Sequence, residues 1–135
     1  MRLGLIGLGK MGANMARRLR RANIEVVGFN RDFETTQALA RECGLIAAET
    51  AESLIEKLDA PRVVWLMLPA GEVTESYIGK MQKLLSSGDL LIDGANSFYK
   101  DSMRRAGLLA ESDIRFIDAG VSGGVWGLEN GYALM

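Results

Sequence analysis

The sequence predicts a doubly wound α/β fold: a mostly parallel sheet with helices on both faces. Three observations predict it. Short apolar, β-rich runs alternate with stretches whose apolar residues recur at helical spacing, the signature of repeated β–α units. The first such run, Leu3 to Ile6, passes at once into glycines that open a helix. A later run, Val63 to Leu68, is apolar throughout, as a parallel strand buried on both faces should be.

The elements follow in order. Leu3 to Ile6 is the first strand. Met11 to Ala22 places Met11, Met15 and Leu19 four residues apart, one face of a helix. Ile24 to Phe29 is a second strand. Asp32 caps a helix running to about Glu42 and ended by Gly44, and Thr50 caps a shorter one from Ala51 to Leu58. Pro61 closes that helix, and Pro69-Ala70-Gly71 breaks the strand at 63–68. Val73 to Leu85 is helical. Leu90 to Asp93 is a strand, Phe98 to Ala110 a helix, and Ile114 to Ala119 a last strand. No repeat, low-complexity tract or linker interrupts residues 1–135, which read as one domain.

Composition narrows the function. Apolar residues make up 48% and charged residues 24% of the 135-residue chain, an ordinary globular balance. The net charge of −1 points to neither nucleic acid nor an anionic membrane. No apolar run approaches the roughly 20 residues that span a bilayer. The single cysteine, Cys43, provides no disulfide framework and fits a reducing cytoplasm. The chain has no histidine, so the commonest general base and metal ligand is missing, and no metal site is expected. The basic run Arg17-Arg18-Leu19-Arg20-Arg21 falls in the last turns of a helix, where cations complement the helix dipole.

Gly7-Leu8-Gly9-Lys10-Met11-Gly12 reads G-x-G-x-x-G. It follows a strand and opens a helix at the head of a βαβ unit, the context in which the pattern carries weight. Gly7 permits a tight turn, Gly9 lets a pyrophosphate approach the backbone, and Gly12 lets helix and strand pack closely. The free amides of the helix N-terminus then face the phosphates. These six residues are cofactor-binding candidates in a Rossmann-type fold. At the end of the second strand stand Asn30, Arg31 and Asp32. An acid there binds the ribose hydroxyls of NAD, and an arginine accepts the 2′-phosphate of NADP. Both are present, so both cofactors stay open, with Asp32 tipping the balance slightly to NAD. Asp32 also has the plainer role of helix cap.

Ligands of doubly wound sheets gather at the carboxyl ends of the strands. Leu68, Pro69 and Ala70 form a small-residue turn at one such end. Asn96, at another, offers both a donor and an acceptor, suited to sitting between a cofactor and a polyol; capping the next helix is its plainer role. Asp93 reads as a strand-end hydrogen-bond partner, and Arg104 and Arg105 as solvated helix residues. Five of the last sixteen residues are glycine. Within that run Ser122, Gly123 and Gly124 offer a hydroxyl and backbone amides to an anionic, hydroxyl-rich small molecule.

Three stretches together resemble the 6-phosphogluconate dehydrogenase family. They are Gly7 to Gly12 with Asn30-Arg31, Ile92 to Arg105, and Gly120 to Gly131. Trp126-Gly127 and Gly131-Tyr132 are similar to its shorter bacterial branch. The resemblance covers essentially the whole chain. It implies oxidative decarboxylation of 6-phosphogluconate, a phosphorylated sugar acid, to ribulose 5-phosphate with hydride transfer to NAD or NADP. By position, Gly7 to Gly12, Asn30 to Asp32, Leu68 to Ala70 and Asn96 would contact the cofactor, and Asn96, Ser122, Gly123 and Gly124 the substrate. Two residues depart from the family pattern. Asp32 stands where threonine is frequent, and Pro69 where lysine is frequent.

The family's general base, a lysine, and general acid, a glutamate, lie beyond the glycine-rich loop on an all-helical part that also builds a homodimer or larger assembly. None of the five lysines, at 10, 57, 80, 83 and 100, falls at the base position. The chain is therefore expected to be the N-terminal, nucleotide-binding portion of a longer enzyme, with no catalytic residue of its own. Two alternatives remain. One is a β-hydroxyacid dehydrogenase of the 3-hydroxyisobutyrate type, whose members usually carry serine-threonine where this chain has Asn96 to Tyr99. The other is a nucleotide-binding module without chemistry. Asp32→Thr removes a like charge from beside a 2′-phosphate. Separate calorimetric titrations of NAD and NADP are expected to show preference moving toward NADP; unchanged relative affinities place the Asp32 charge away from the ribose.

Overall fold

The computed structural model describes residues 1–135. Six parallel strands form the central sheet in the order β3-β2-β1-β4-β5-β6: β1 (Arg2–Ile6), β2 (Glu25–Phe29), β3 (Ile46–Ala47), β4 (Val63–Leu66), β5 (Leu90–Asp93) and β6 (Arg115–Asp118). The intervening helices are α1 (Lys10–Arg21), α2 (Phe33–Cys43), α3 (Ala51–Glu56), α4 (Glu72–Leu84) and α5 (Tyr99–Ala110). The chain builds outward from β1 on one side, then returns to build outward on the other. This is the doubly wound topology that the alternation of runs predicts.

Local chemistry sets the helix ends. The Asp32 side chain accepts from the Glu34 amide, and Gly44 ends α2 in the left-handed conformation at φ 74°. Thr50 and Ser53 form a reciprocal capping box at the head of α3. Strand β3, only two residues long, was not anticipated, because two residues carry no periodicity.

The core has two layers. Leu54, Leu58, Ile78, Met81 and Leu109, from α3, α4, α5 and their ends, pack with Ile6, Val64, Leu66 and Leu91 on one face of the sheet. Ala16 of α1 and Leu39 of α2 pack with Leu5 and Val26 on the other. Three helices thus cover one face and two the other. Strand β4, expected to be buried on both faces, alternates instead. Val64 and Leu66 are fully buried, while Val63 and Trp65 are half-buried. On β6, Ile117 is 47% exposed. The face shared with α1 and α2 is thinly covered where no third helix reaches.

The glycine-rich segment folds back on the domain. β7 (Val121–Ser122) pairs antiparallel with β8 (Ala133–Leu134), and Gly120 and Met135 exchange backbone hydrogen bonds of 2.7 and 3.0 Å. Between them lie a 3-10 turn, Gly124–Trp126, and a short helix α6, Gly127–Asn130. Helix α1 holds this clip. Arg18 donates to the carbonyls of Leu128 and Glu129 at 3.0 and 3.3 Å, and Arg21 pairs with Glu129 at 3.0 Å. A Cβ on Gly127 would overlap the Tyr132 ring, so any side chain there requires that ring to move. The arginines of the basic run therefore have protein partners, Arg17 pairing with Glu42 at 2.7 Å.

Buried Asp89 ties the β4 entrance to the β5 entrance. It accepts from the backbone amides of Arg62 and Ser86 at 2.6 and 2.9 Å and from the Arg62 guanidinium at 3.1 Å. Asp89→Ala strands two amides and one cation, so the denaturation midpoint is expected to fall by the equivalent of about 2–3 kcal/mol; a loss below about 0.5 kcal/mol would mean that water replaces the carboxylate.

Candidate functional site

The carboxyl ends of five strands stand in one row. Phe29, Ile6, Leu66, Asp93 and Asp118 are successive register partners across the sheet. The next amides close that row, Gly7 to Phe29 at 2.9 Å, Met67 to Ile6 at 2.7 Å, Gly94 to Leu66 at 2.9 Å and Ala119 to Asp93 at 2.9 Å. Every loop that carries a candidate residue therefore leaves the sheet at the same edge. The winding direction reverses between β1 and β4, which is where such a sheet opens a crevice.

In the first turn, Gly7 stands at φ 94°, and a Cβ on Gly12 would overlap the Gly7 carbonyl oxygen. Helix and strand meet at that closeness because neither residue has a side chain. Leu8 turns its side chain into the core at 3% exposure, and its amide donates to Asn30 Oδ1 at 3.1 Å. Asn30 thus pins the first turn to the end of β2. Gly9 and Lys10 are exposed, and Met11 is half-buried.

Whether these residues suit a dinucleotide is decided at the head of α1. It has no side-chain cap and no acidic residue in its first turn, whereas α2, α3, α4 and α5 each have an acid there. Its first backbone bond runs from Ala13 to Gly9 at 2.8 Å. The amides of Gly9 to Gly12 keep their donors for an outside acceptor, and the positive end of the dipole is left uncompensated. A Cβ on Gly9 would meet nothing within 4 Å, so there is open space where a pyrophosphate needs it. The residues fit the group.

Beside this turn lies a cleft of about 340 Å³, walled by Ile6, Gly7, Phe29, Asn30, Arg31, Asp32, Leu68, Pro69, Val73 and Tyr77. It joins three of the expected strand ends. Val73 and Tyr77, on the first two turns of α4, were not anticipated as lining residues. The available signal was their position, directly after the Pro69–Gly71 break. Asp32 sits at the rim and caps α2 at once. The Thr35 hydroxyl, and after it the backbone amides of Glu34 and Thr35, holds its carboxyl below the usual carboxylate range, so the rim keeps its negative charge. Ala70 is exposed beside the cleft.

Farther along the row, Asn96 is exposed and adopts φ 55°. It does not cap α5, whose N-cap is Phe98. Its carboxamide accepts from the Val121 amide at 2.9 Å and donates to the Val121 carbonyl at 3.1 Å. Asn96 therefore fastens the β5 loop to the residue before Ser122. Ser122, Gly123 and Gly124 are exposed, and Asn14 of α1 reaches the Val125 carbonyl at 3.5 Å. Asp93 acts as a strand-end partner, accepting from the Ala95 amide at 2.9 Å and the Ser97 hydroxyl at 2.7 Å. Arg105 corrects the expectation of a solvated helix residue. It is 1% exposed and donates to Asp93, Ser97 and Glu75 at 3.1, 2.9 and 2.8 Å. Arg104, on the surface, donates twice to Glu75 at 2.8 Å. Arg104 and then Arg105 hold the Glu75 carboxyl down to about 2.

Residues 2–135 match the family model described as the NAD binding domain of 6-phosphogluconate dehydrogenase. The chain is 41% identical over 137 aligned residues to a decarboxylating 6-phosphogluconate dehydrogenase of Haemophilus influenzae; the match covers 98% of this chain and 28% of the relative. A putative 6-phosphogluconate dehydrogenase of Bacillus subtilis is 38% identical, with 100% of this chain and 45% of that protein covered. Among solved structures, the Plasmodium falciparum 6-phosphogluconate dehydrogenase, described in apo form and with NADP+ and 6-phosphogluconate, superposes with a TM-score of 0.93 at 33% identity, covering 100% of this chain and 30% of that one. A Mycobacterium tuberculosis 3-hydroxyisobutyrate dehydrogenase gives 0.82 at 29% identity, with 93% and 42% covered. The chain thus spans less than half the length of the relatives it matches.

Gly12→Ala forces α1 away from the first turn. Dinucleotide affinity is expected to fall at least about tenfold, roughly 1.4 kcal/mol, as measured by calorimetry; wild-type affinity would mean that close helix–strand packing is not what seats the pyrophosphate.

Proposed function

The chain belongs to the family of NAD-binding domains of 6-phosphogluconate dehydrogenase, and from that premise we propose that in the intact protein it presents NAD or NADP to 6-phosphogluconate for oxidative decarboxylation to ribulose 5-phosphate. The observation that carries this is the Asn96–Val121 pair. It joins the loop after β5, next along the row from the cleft beside β4, to the loop bearing Ser122, Gly123 and Gly124, so cofactor and sugar acid would meet across one carboxamide.

When bound, the nicotinamide supplies the two-electron acceptor that the oxidation requires. The residues of this chain bind and orient. The amides of Gly9 to Gly12 and the dipole of α1 hold the pyrophosphate. Asn30 keeps the first turn in shape, and Arg31 and Asp32 face the adenosine ribose. Leu68, Pro69 and Ala70 run beside the dinucleotide as bare backbone and small side chains. The remaining donor and lone pair of Asn96 lie between cofactor and substrate, and the Ser122 hydroxyl with the amides of Gly123 and Gly124 receives hydroxyl and carboxylate groups. Proton transfer is left to a lysine and a glutamate of an all-helical part after residue 135, the part that would also form the subunit interface.

A β-hydroxyacid dehydrogenase of the 3-hydroxyisobutyrate type is the second reading, favoured by the likeness to the Mycobacterium tuberculosis enzyme. The intact gene product, assayed with 6-phosphogluconate and with either cofactor, is expected to form reduced cofactor, while the 135-residue chain binds dinucleotide without turnover. No reduction with either cofactor overturns the proposal, and turnover of 3-hydroxyisobutyrate in place of the sugar acid transfers it to the second reading.

A further inference from the structure

Arg105 heads the largest fully buried side chains of the domain. A guanidinium out of water must be paired and hydrogen-bonded, and the two sets of partners here belong to different halves of the site. On one side are Asp93 and Ser97, which bracket Asn96. Asp93 Oδ1 takes the Ala95 amide at 2.9 Å, Asp93 Oδ2 takes the Ser97 hydroxyl at 2.7 Å, and Arg105 donates to both residues. Between the two brackets, Asn96 stands at φ 55°, the left-handed region, which asparagine enters more readily than other non-glycine residues. On the other side is Glu75, which takes Arg105 Nε at 2.8 Å. It lies on α4 between Val73 and Tyr77, the two residues that helix contributes to the nucleotide cleft.

We propose that Arg105 is a positioning residue for the nicotinamide end of the dinucleotide: through Asp93 and Ser97 it fixes the carboxamide of Asn96 against Val121, and through Glu75 it ties that loop to the wall of the adenosine cleft. The proposal rests on dinucleotide binding as set out above. An ion pair serving only to join α4 to α5 would need neither Asp93 nor Ser97. Here the same guanidinium nitrogen reaches both, and they are the residues that shape the turn on either side of Asn96.

The test compares the wild-type 135-residue chain with Arg105→Lys and Glu75→Gln. Lysine keeps a cation beside Asp93 but lacks the fork needed to hold Ser97 and Glu75 together. Glu75 is partly exposed, with 41% of its side chain accessible, so its variant keeps the fold even where the buried substitution does not. In both variants the Val121 amide hydrogen, which is held by Asn96 Oδ1, is expected to exchange about tenfold faster while the Ile6 and Leu66 amides keep their rates. Affinity for NAD or NADP is expected to fall about tenfold while that for ADP, which reaches only the first turn and the β2 end, stays within about twofold, the scale of coupling inside one hydrogen-bonded network. Unchanged Val121 exchange in both variants, or equal losses for ADP and dinucleotide, overturns the proposal. A wild-type chain that binds no dinucleotide overturns the functional reading and the affinity split with it, whereas Val121 exchange still decides whether Arg105 holds Asn96.

Discussion

Helix α1 lies against β1 at a distance that only glycine permits. Gly12 meets the carbonyl of Gly7 so closely that a single added carbon would displace it, and much of the site geometry depends on that approach. It aims the uncapped head of α1 along the strand row, leaving its donors and dipole for a phosphate. It also sets the outer face of α1 where Asn14, Arg18 and Arg21 can seat the clip after β6. One helix therefore serves both halves of the proposed site, with its N-terminus toward cofactor and its flank toward the segment carrying Ser122.

The second organising feature is the placement of charge at the β5 end. Burying Asp93 and Arg105 side by side costs desolvation that an apolar pair would avoid. What the ion pair provides is direction, since carboxylate lone pairs and guanidinium hydrogens accept partners along defined lines. Asp93 spends its oxygens on Ala95, Ser97 and Arg105, and Asn96 is left as the residue between fixed neighbours. A loop built this way keeps an exposed carboxamide in one orientation without burying it.

Much of the fold was legible because its signals are local. Asp32, Gly44 and Thr50 terminate helices through their own backbone neighbours, and they do so where expected. The spacing of Gly7, Gly9 and Gly12 marked the close turn between β1 and α1. The contributions of Tyr77 and Arg105 were less legible. Tyr77 enters the cleft from a helix whose angle is set by packing, and Arg105 resembles its solvated neighbour Arg104 in everything but burial. The clip was hidden for a related reason. Val121–Ser122 and Ala133–Leu134 are too short to show strand periodicity, and their pairing joins residues more than ten positions apart.

The sequence alone determined the order of the longer strands and helices, the glycine turn and the candidate residues at the strand ends, since capping, periodicity and backbone freedom act within a few residues. Tertiary structure decided which of those residues face one another. Asn96 became a clamp on Val121 rather than a helix cap, and Arg105 became a buried strut rather than a surface cation. Leu8 turned inward, leaving its amide to Asn30. These outcomes depend on the registers of β4, β5 and β6 and on the close seat of α1, contacts between residues far apart in the chain, whose energies no local pattern encodes.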